Sequence, residues 1–513
     1  MAVLAHPQPH QRSPRPAVPS KPSLALWMER VLIEAERAAS DFAADPVHDL
    51  RVALRRVRSL ADGMIALDPE PAWKHMKRAG KAVFQSLGEL RDVQVMEEWV
   101  GKVGAADDVV TLRLRQYFES RQPPLKRLAA DALASFDRKQ WKKWSVELPR
   151  RVAGVKAGSV MLKHLALERW TAAHELHRRA VRNRSAVSLH NLRIGIKRFR
   201  YIVENFLPEE HAAWGADLKR LQDLLGDIHD LDVLWATALQ VHAFPSVESR
   251  SQWRARILEQ RELRLQKYRS KMLGKESLWH TWRKDLPHDE EVSDAALARL
   301  KYWAARTDPD VQHSALVARL AQQLYRGLPH RSGADGGDPR ERMILEVAAI
   351  MHEIGRAEKA HDHHKRTYRK VAKLAPPLGW SREDLRLCGI IARYHRGALP
   401  RAGQATLVGL DATQRQEVFR LAGILRLANA FDDAHDGHIQ RLEVSQQDGC
   451  IVVAAQGYSP RDRAAERIAA ARHLLETAYR KPVIIKPLRA RPGASSASRR
   501  EPALLTMKRS QPD

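Results

Sequence analysis

Two stretches of this chain repeat one another. Residues 48–58 read His-Asp-Leu-Arg-Val-Ala-Leu-Arg-Arg-Val-Arg, and residues 190–200 read His-Asn-Leu-Arg-Ile-Gly-Ile-Lys-Arg-Phe-Arg. A second pair of echoes follows, Leu87-Gly88-Glu89-Leu90-Arg91-Asp92 and Leu225-Gly226-Asp227-Ile228-His229-Asp230. Both pairs lie roughly 140 positions apart, so a whole multi-helix unit is duplicated. Any fold for this chain must place two copies of that unit side by side.

Set on a helix at about 100° per residue, Leu50, Ala53, Leu54, Val57, Ala61 and Met64 fall on one side. His48, Arg51, Arg55 and Arg58 fall on another. The second copy aligns His190, Arg193, Lys197 and Arg200 in the same way. The spacing puts four cationic or protonatable heads along roughly 15 Å of one face, with no acidic residue interleaved to offset them. A lone charge run reads as a solvated face; a run that recurs in matched copies reads as a binding surface. Arginine forks suit phosphate oxygens, and lysine adds a point charge. In the helices after each stripe Lys81 aligns with Lys219, and Arg91 with His229.

Composition agrees. Lys and Arg number 87 against 61 Asp and Glu, a formal charge of +26 that points to a polyanionic partner. Only two cysteines, Cys388 and Cys450, are present, so a disulfide framework is excluded and a reducing cytoplasm is expected. No apolar run approaches the length of a membrane span, and the N-terminus lacks the apolar segment of a secretory signal.

Pro-rich residues 1–22 and Arg/Ser/Pro-rich residues 489–513 are expected to be disordered ends. Between them the spacing predicts a mainly α protein. Residues 23–285 form two helical repeats, 23–150 and 151–285; a linker at 286–293 leads to a helical domain at 294–437. The pattern then changes: Leu442–Ser445 and Ile451–Ala454 flank Gln447-Asp448-Gly449 as a hairpin. With a helix over 461–478 and a strand at 482–485, residues 438–488 make a small α+β domain.

With its two basic stripes and two Leu-Gly-x-x-x-Asp segments, the region 23–285 resembles the CHAD module, a histidine-bearing α-helical domain that binds inorganic polyphosphate. The resemblance implies two antiparallel helical bundles related by a pseudo-two-fold axis, with the basic helices facing a central channel. It implies phosphate contacts from His48, Arg51, Arg55, Arg58, Lys81, His190, Arg193, Lys197, Arg200 and Lys219. Arg56 and Arg198 lie off the stripes.

Residues 313–432 hold His313, His352-Glu353, His361, His363, His364, His395 and Asp432-Asp433. The order resembles the HD phosphohydrolase arrangement, in which imidazoles and carboxylates hold a divalent metal; here Glu353 replaces the usual Asp. The wording around His352-Glu353-Ile354-Gly355, Tyr394-His395 and Leu427-Ala428-Asn429-Ala430-Phe431-Asp432 resembles, from about 294 to 487, the C-terminal region of exopolyphosphatase/guanosine pentaphosphate phosphohydrolases. That family's catalysis resides in actin-like domains, and nothing in this sequence resembles them.

The expectation is therefore a polyphosphate-binding protein rather than an enzyme, cytoplasmic and associated with polyphosphate granules, with no required cofactor and no membrane partner. Two alternatives stand beside it. One is a metal-dependent phosphohydrolase with His313, His352, Glu353 and Asp432 as ligands, acting on polyphosphate or a nucleotide. The other is a non-specific nucleic-acid binder, against which the lack of a base-reading motif or of aromatics alternating with the basic stripes argues.

Overall fold

A computed structural model describes residues 23–330, 337–358, 361–401 and 403–488. The predicted disordered ends lie outside the described residues. The described chain is mainly helical, with one small sheet near its C-terminal end. It divides into two compact units, one reaching to Thr307 and including 375–382, the other comprising Asp308–Leu374 and the chain from Glu383 onward.

In the first unit, copy one contributes Leu24–Asp41 (α1), Ala44–Ile65 (α2), Ala72–Ala79 (α3), Lys81–Val103 (α4), Val109–Ala134 (α5) and Arg138–Ala153 (α6). Copy two contributes Val160–Asn183 (α7), Ala186–Phe206 (α8), Pro208–Gln240 (α9), Val247–Met272 (α10) and Leu278–Lys284 (α11). The single helix α9 corresponds to α3 and α4 together, which break apart at Gly80. The stripe helices α2 and α8 pack on one another, and so do α4 and α9, as a pseudo-two-fold axis between the copies requires. Leu50, Ala53, Leu54, Val57, Ala61 and Met64 of α2, with Leu192, Ile196, Phe199 and Val203 of α8, are buried in one continuous core. Asn205 bonds Ser59 across the copies at 3.0 Å.

The first unit extends past the predicted boundary at 285. Asp289, Glu290 and Glu291 open a helix, Asp289–Ala305 (α12), instead of marking a linker. Acidic residues favour a helix N-terminus, and the Glu291 carboxylate accepts from the His288 backbone N–H at 3.0 Å. α12 packs on α7 and buries Ala295, Ala296, Leu300 and Ala304. Its buried Arg299 pairs with Glu168 at 2.6 Å. Residues 375–382 join the same unit, where Leu378 O meets His164 Nε2 at 2.9 Å.

The second unit contains Val311–Gly327 (α13), Pro339–Met351 (α14), His363–Ala372 (α15), nearly all of Arg382–Arg393 (α16) and Ala412–Ala430 (α17). The helix predicted at 461–478 is split at Arg472 into Arg463–Ala471 (α18) and His473–Tyr479 (α19). Strands Leu442–Gln447 (β1), Cys450–Ala455 (β2) and Val483–Pro487 (β3) form a sheet in that order, β1 antiparallel and β3 parallel to β2. The predicted hairpin is present: Asp448 and Gly449 both have positive φ, the turn that matches the twist of the strands. Among the described residues no helix is long and apolar enough to cross a membrane.

Candidate functional site

The packing of α2 on α8 brings the two stripes together. Lys197 of copy two is half-buried and feels Arg193 of its own stripe and Arg55 and Arg51 of the other. Burial first, then these three cations, push its ammonium down to about 8. Cations drawn from both copies therefore share one enclosed space.

The Leu-Gly-x-x-x-Asp segments shape that space. A side chain at Gly88 would meet Arg51 Nη1 at 2.7 Å, so the missing Cβ is what lets the Arg51 guanidinium lie against α4. Arg193 Nε is the nearest group to the matching position, Gly226. Asp92 and Asp230 close the two segments, and the field of Arg193 reaches both. Enclosure still dominates, raising Asp92 above the usual carboxylate range and Asp230 to about 6. These two carboxylates leave the site with a large excess of positive charge.

The remaining predicted contacts differ in what already holds them. Arg51 and Arg58 lie over the Phe84 ring, at 5.3 and 5.0 Å, and Arg58 also donates to Lys77 O at 2.8 Å. Arg200 is drawn to Glu204 at 3.7 Å, and Glu204 also takes Arg56 of copy one at 2.5 Å. Arg200 thus stands at an intramolecular ion pair that ties the copies, unlike Arg55 and Lys197. His190 meets His229 with ring nitrogens 3.4 Å apart, and His48 in the matching place feels Arg91. Burial first, then Arg193 and His190, hold His229 down to about 4; His48 is lowered by burial and then Arg91. Lys81 and Lys219 are exposed, and Lys219 is paired with Asp223 at 3.0 Å. Sequence reasoning did not single out Tyr201, whose buried hydroxyl has no hydrogen-bond partner beside Arg55 and Arg200. Arg193 Nε and Arg200 Nε are likewise buried without partners, so three unused donors line the stripe of copy two.

In the second unit, helix ends converge. His313 lies in the first turn of α13, His352 and Glu353 just beyond α14, His363 at the start of α15, His395 just beyond α16, and Asn429 and Asp432 at the end of α17. His352 and His395 each donate Nδ1–H to the carbonyl three residues back, Ala349 and Ala392, at 2.6 Å. These are the orphan carbonyls of a helix C-terminus. His313 Nδ1 faces Asp432 Oδ2 at 2.7 Å. A side chain at Gly355 would meet His363 O at 2.3 Å, so glycine is what allows α15 to approach and turn His363 inward. Of the predicted ligands, His313, His352 and Glu353 come together, while Asp432 stands behind His313 and orients it. The other triad, Glu353, His363 and His395, was not assembled from sequence, because its members lie on separate elements. His361 is exposed, unlike its neighbour His363. Burial holds the His352 imidazole down to about 3, and burial lowers His395. Glu353 stays ionised: burial alone would raise it, but His363 and His395 hold it well below the usual carboxylate range.

A comparison with curated proteins returns no match. Comparison with protein families matches residues 25–240 to the CHAD domain and residues 301–451 to the Ppx/GppA phosphatase, domain III. The chain joins a CHAD domain to a Ppx/GppA-type domain III.

Proposed function

We propose that the first unit binds inorganic polyphosphate along one channel lined by the stripes of both copies. A single observation carries this reading: Arg51, Arg55, Arg193 and Lys197, from two helices related by duplication, crowd one enclosed space with too few carboxylates to neutralise them. A linear phosphate polymer supplies closely spaced anions to such a groove. Long polyphosphate held in this way would retain the protein on polyphosphate granules.

Purified protein challenged with long-chain polyphosphate, duplex DNA and single-stranded RNA, at matched phosphate and salt, tests the reading. Polyphosphate should remain bound at salt concentrations that release both nucleic acids. Equal or tighter retention of DNA or RNA would overturn it.

The titrating groups add a pH signature. A polyanion favours the protonated form of each, so affinity should be highest in acid. It should fall as pH rises through about 6, where Asp230 ionises, and again through about 8, where Lys197 loses its proton. Asp230→Asn should remove the lower step and Lys197→Arg the upper one. Binding curves measured from about pH 5 to 9 that stay flat would contradict these assignments.

A further inference from the structure

We propose that copy two of the first unit, where the ends of α7, α8 and α10 meet, binds a small aryl carboxylate in an apolar pocket. The pocket is a cavity of about 160 Å³. Buried Ala180, Leu189, Leu265 and Tyr268 line its inner part, with exposed Arg184 and half-buried Arg269 beside them. An apolar cavity of roughly 150 Å³ takes one benzene-sized group. The Tyr268 hydroxyl is already engaged by His177 Nδ1 at 2.8 Å. Tyr268 therefore offers the cavity a ring and no free donor.

The duplication identifies what this space lacks. Arg184 caps the end of α7 in the left-handed conformation, φ 48°, as Phe42 caps the end of α1 at φ 54°. The two residues are separated by the same interval as His48 and His190. Ala38 matches Ala180 before them and Val47 matches Leu189 after them, and all four are buried. Phe42 is buried as well, 7% exposed and part of the core. Copy one thus covers this corner with its own benzyl group, whereas copy two carries an exposed guanidinium there and keeps a benzene-sized cavity. Val181 and Leu273, which also line the cavity, are left 38% and 43% exposed. Neither residues 1–22 nor residues 489–513 contain a Phe, Tyr or Trp to fill it.

The two guanidiniums select the charge of the occupant. Arg184 has no ion pair among the described residues. Arg269 is paired with Glu262 at 3.1 Å, and both side chains are substantially exposed. A pair of that kind contributes little to stability and yields readily to a ligand. No carboxylate lines the pocket. An anionic group attached to a ring in the cavity is therefore within reach of two unopposed forks, whose planar geometry suits a carboxylate. A polyphosphate chain has no apolar part to bury here, so this ligand is chemically distinct from that of the channel.

The test titrates the full chain with phenylacetate and follows the ligand by NMR. Saturable binding is expected with a Kd of about 1 mM or tighter. Acetate, which lacks the ring, and phenylacetamide, which lacks the charge, should each bind at least about tenfold more weakly. Arg184→Phe recreates the arrangement of copy one, so it should abolish binding and raise the melting temperature, as cavity filling does. Ala180→Leu fills the same cavity from α7 and should abolish binding as well. Arg184→Gln together with Arg269→Gln should weaken phenylacetate about tenfold or more while leaving phenylacetamide unchanged. No saturable binding of phenylacetate, equal binding of acetate or phenylacetamide, or binding that survives in either folded filling variant would each overturn the proposal.

Discussion

Replacing Arg51 and Arg55 together by glutamate is expected to lower polyphosphate affinity at least about 100-fold, and replacing Arg193 and Lys197 together should do the same. Each pair removes two charge-assisted contacts of about 1.5–3 kcal/mol, and the introduced carboxylates repel the ligand. The two losses should match because the pairs occupy equivalent places on α2 and α8 and face one space. Both helices bury the opposite face, so helicity and melting temperature should hold. Arg200→Glu should behave differently, since Arg200 already pairs with Glu204 at a tie between the copies; destabilisation should accompany its loss of binding. Affinity should also fall with salt. About five neutralised phosphates imply a log–log slope between about −3 and −4, by analogy with single-stranded nucleic acids. Affinity measured in both double variants, with the fold verified by circular dichroism, decides the assignment. Unchanged affinity in either would contradict it.

The duplication and the stripes were legible because helical period alone determines which side chains share a face. Hence Leu50 and Met64 are buried where predicted, and Arg51 and Lys197 lie on the facing helices. What each cation meets was not legible. Glu204 captures Arg56 and Arg200 because two helices cross there, and crossing partners leave no periodic trace. The roles of Gly88 and Asp92 were hidden for the same reason, although their recurrence at Gly226 and Asp230 was visible. In the second unit the residues before and after a helix carry the chemistry. His352 and His395 owe their orientation to their own helix carbonyls, and neither is marked by spacing.

The continuation of the first unit from 285 to Thr307 leads to a second large expectation. A chain ended at Asp285 loses α12, and with it the cover that Leu300 and Ala304 provide. Glu168 then loses Arg299, whose Nε also donates to Ala66 O at 3.3 Å. Arg151 O and Asp68 lose Arg306, 2.9 and 3.7 Å away. Lost burial and a broken, half-buried ion pair together should cost at least about 3 kcal/mol. Fragment 23–285 should therefore melt roughly 6 °C or more below fragment 23–307. Equal melting temperatures would return the boundary to 285 and make α12 a connector.

The central claim is that two stripes make one site. Calorimetric titration with a short polyphosphate of defined length tests it most directly. One equivalent should bind per chain, and reversal of either stripe should remove the whole isotherm. Two equivalents in the unmodified protein, with each reversal removing one, would show two independent sites and contradict the shared channel.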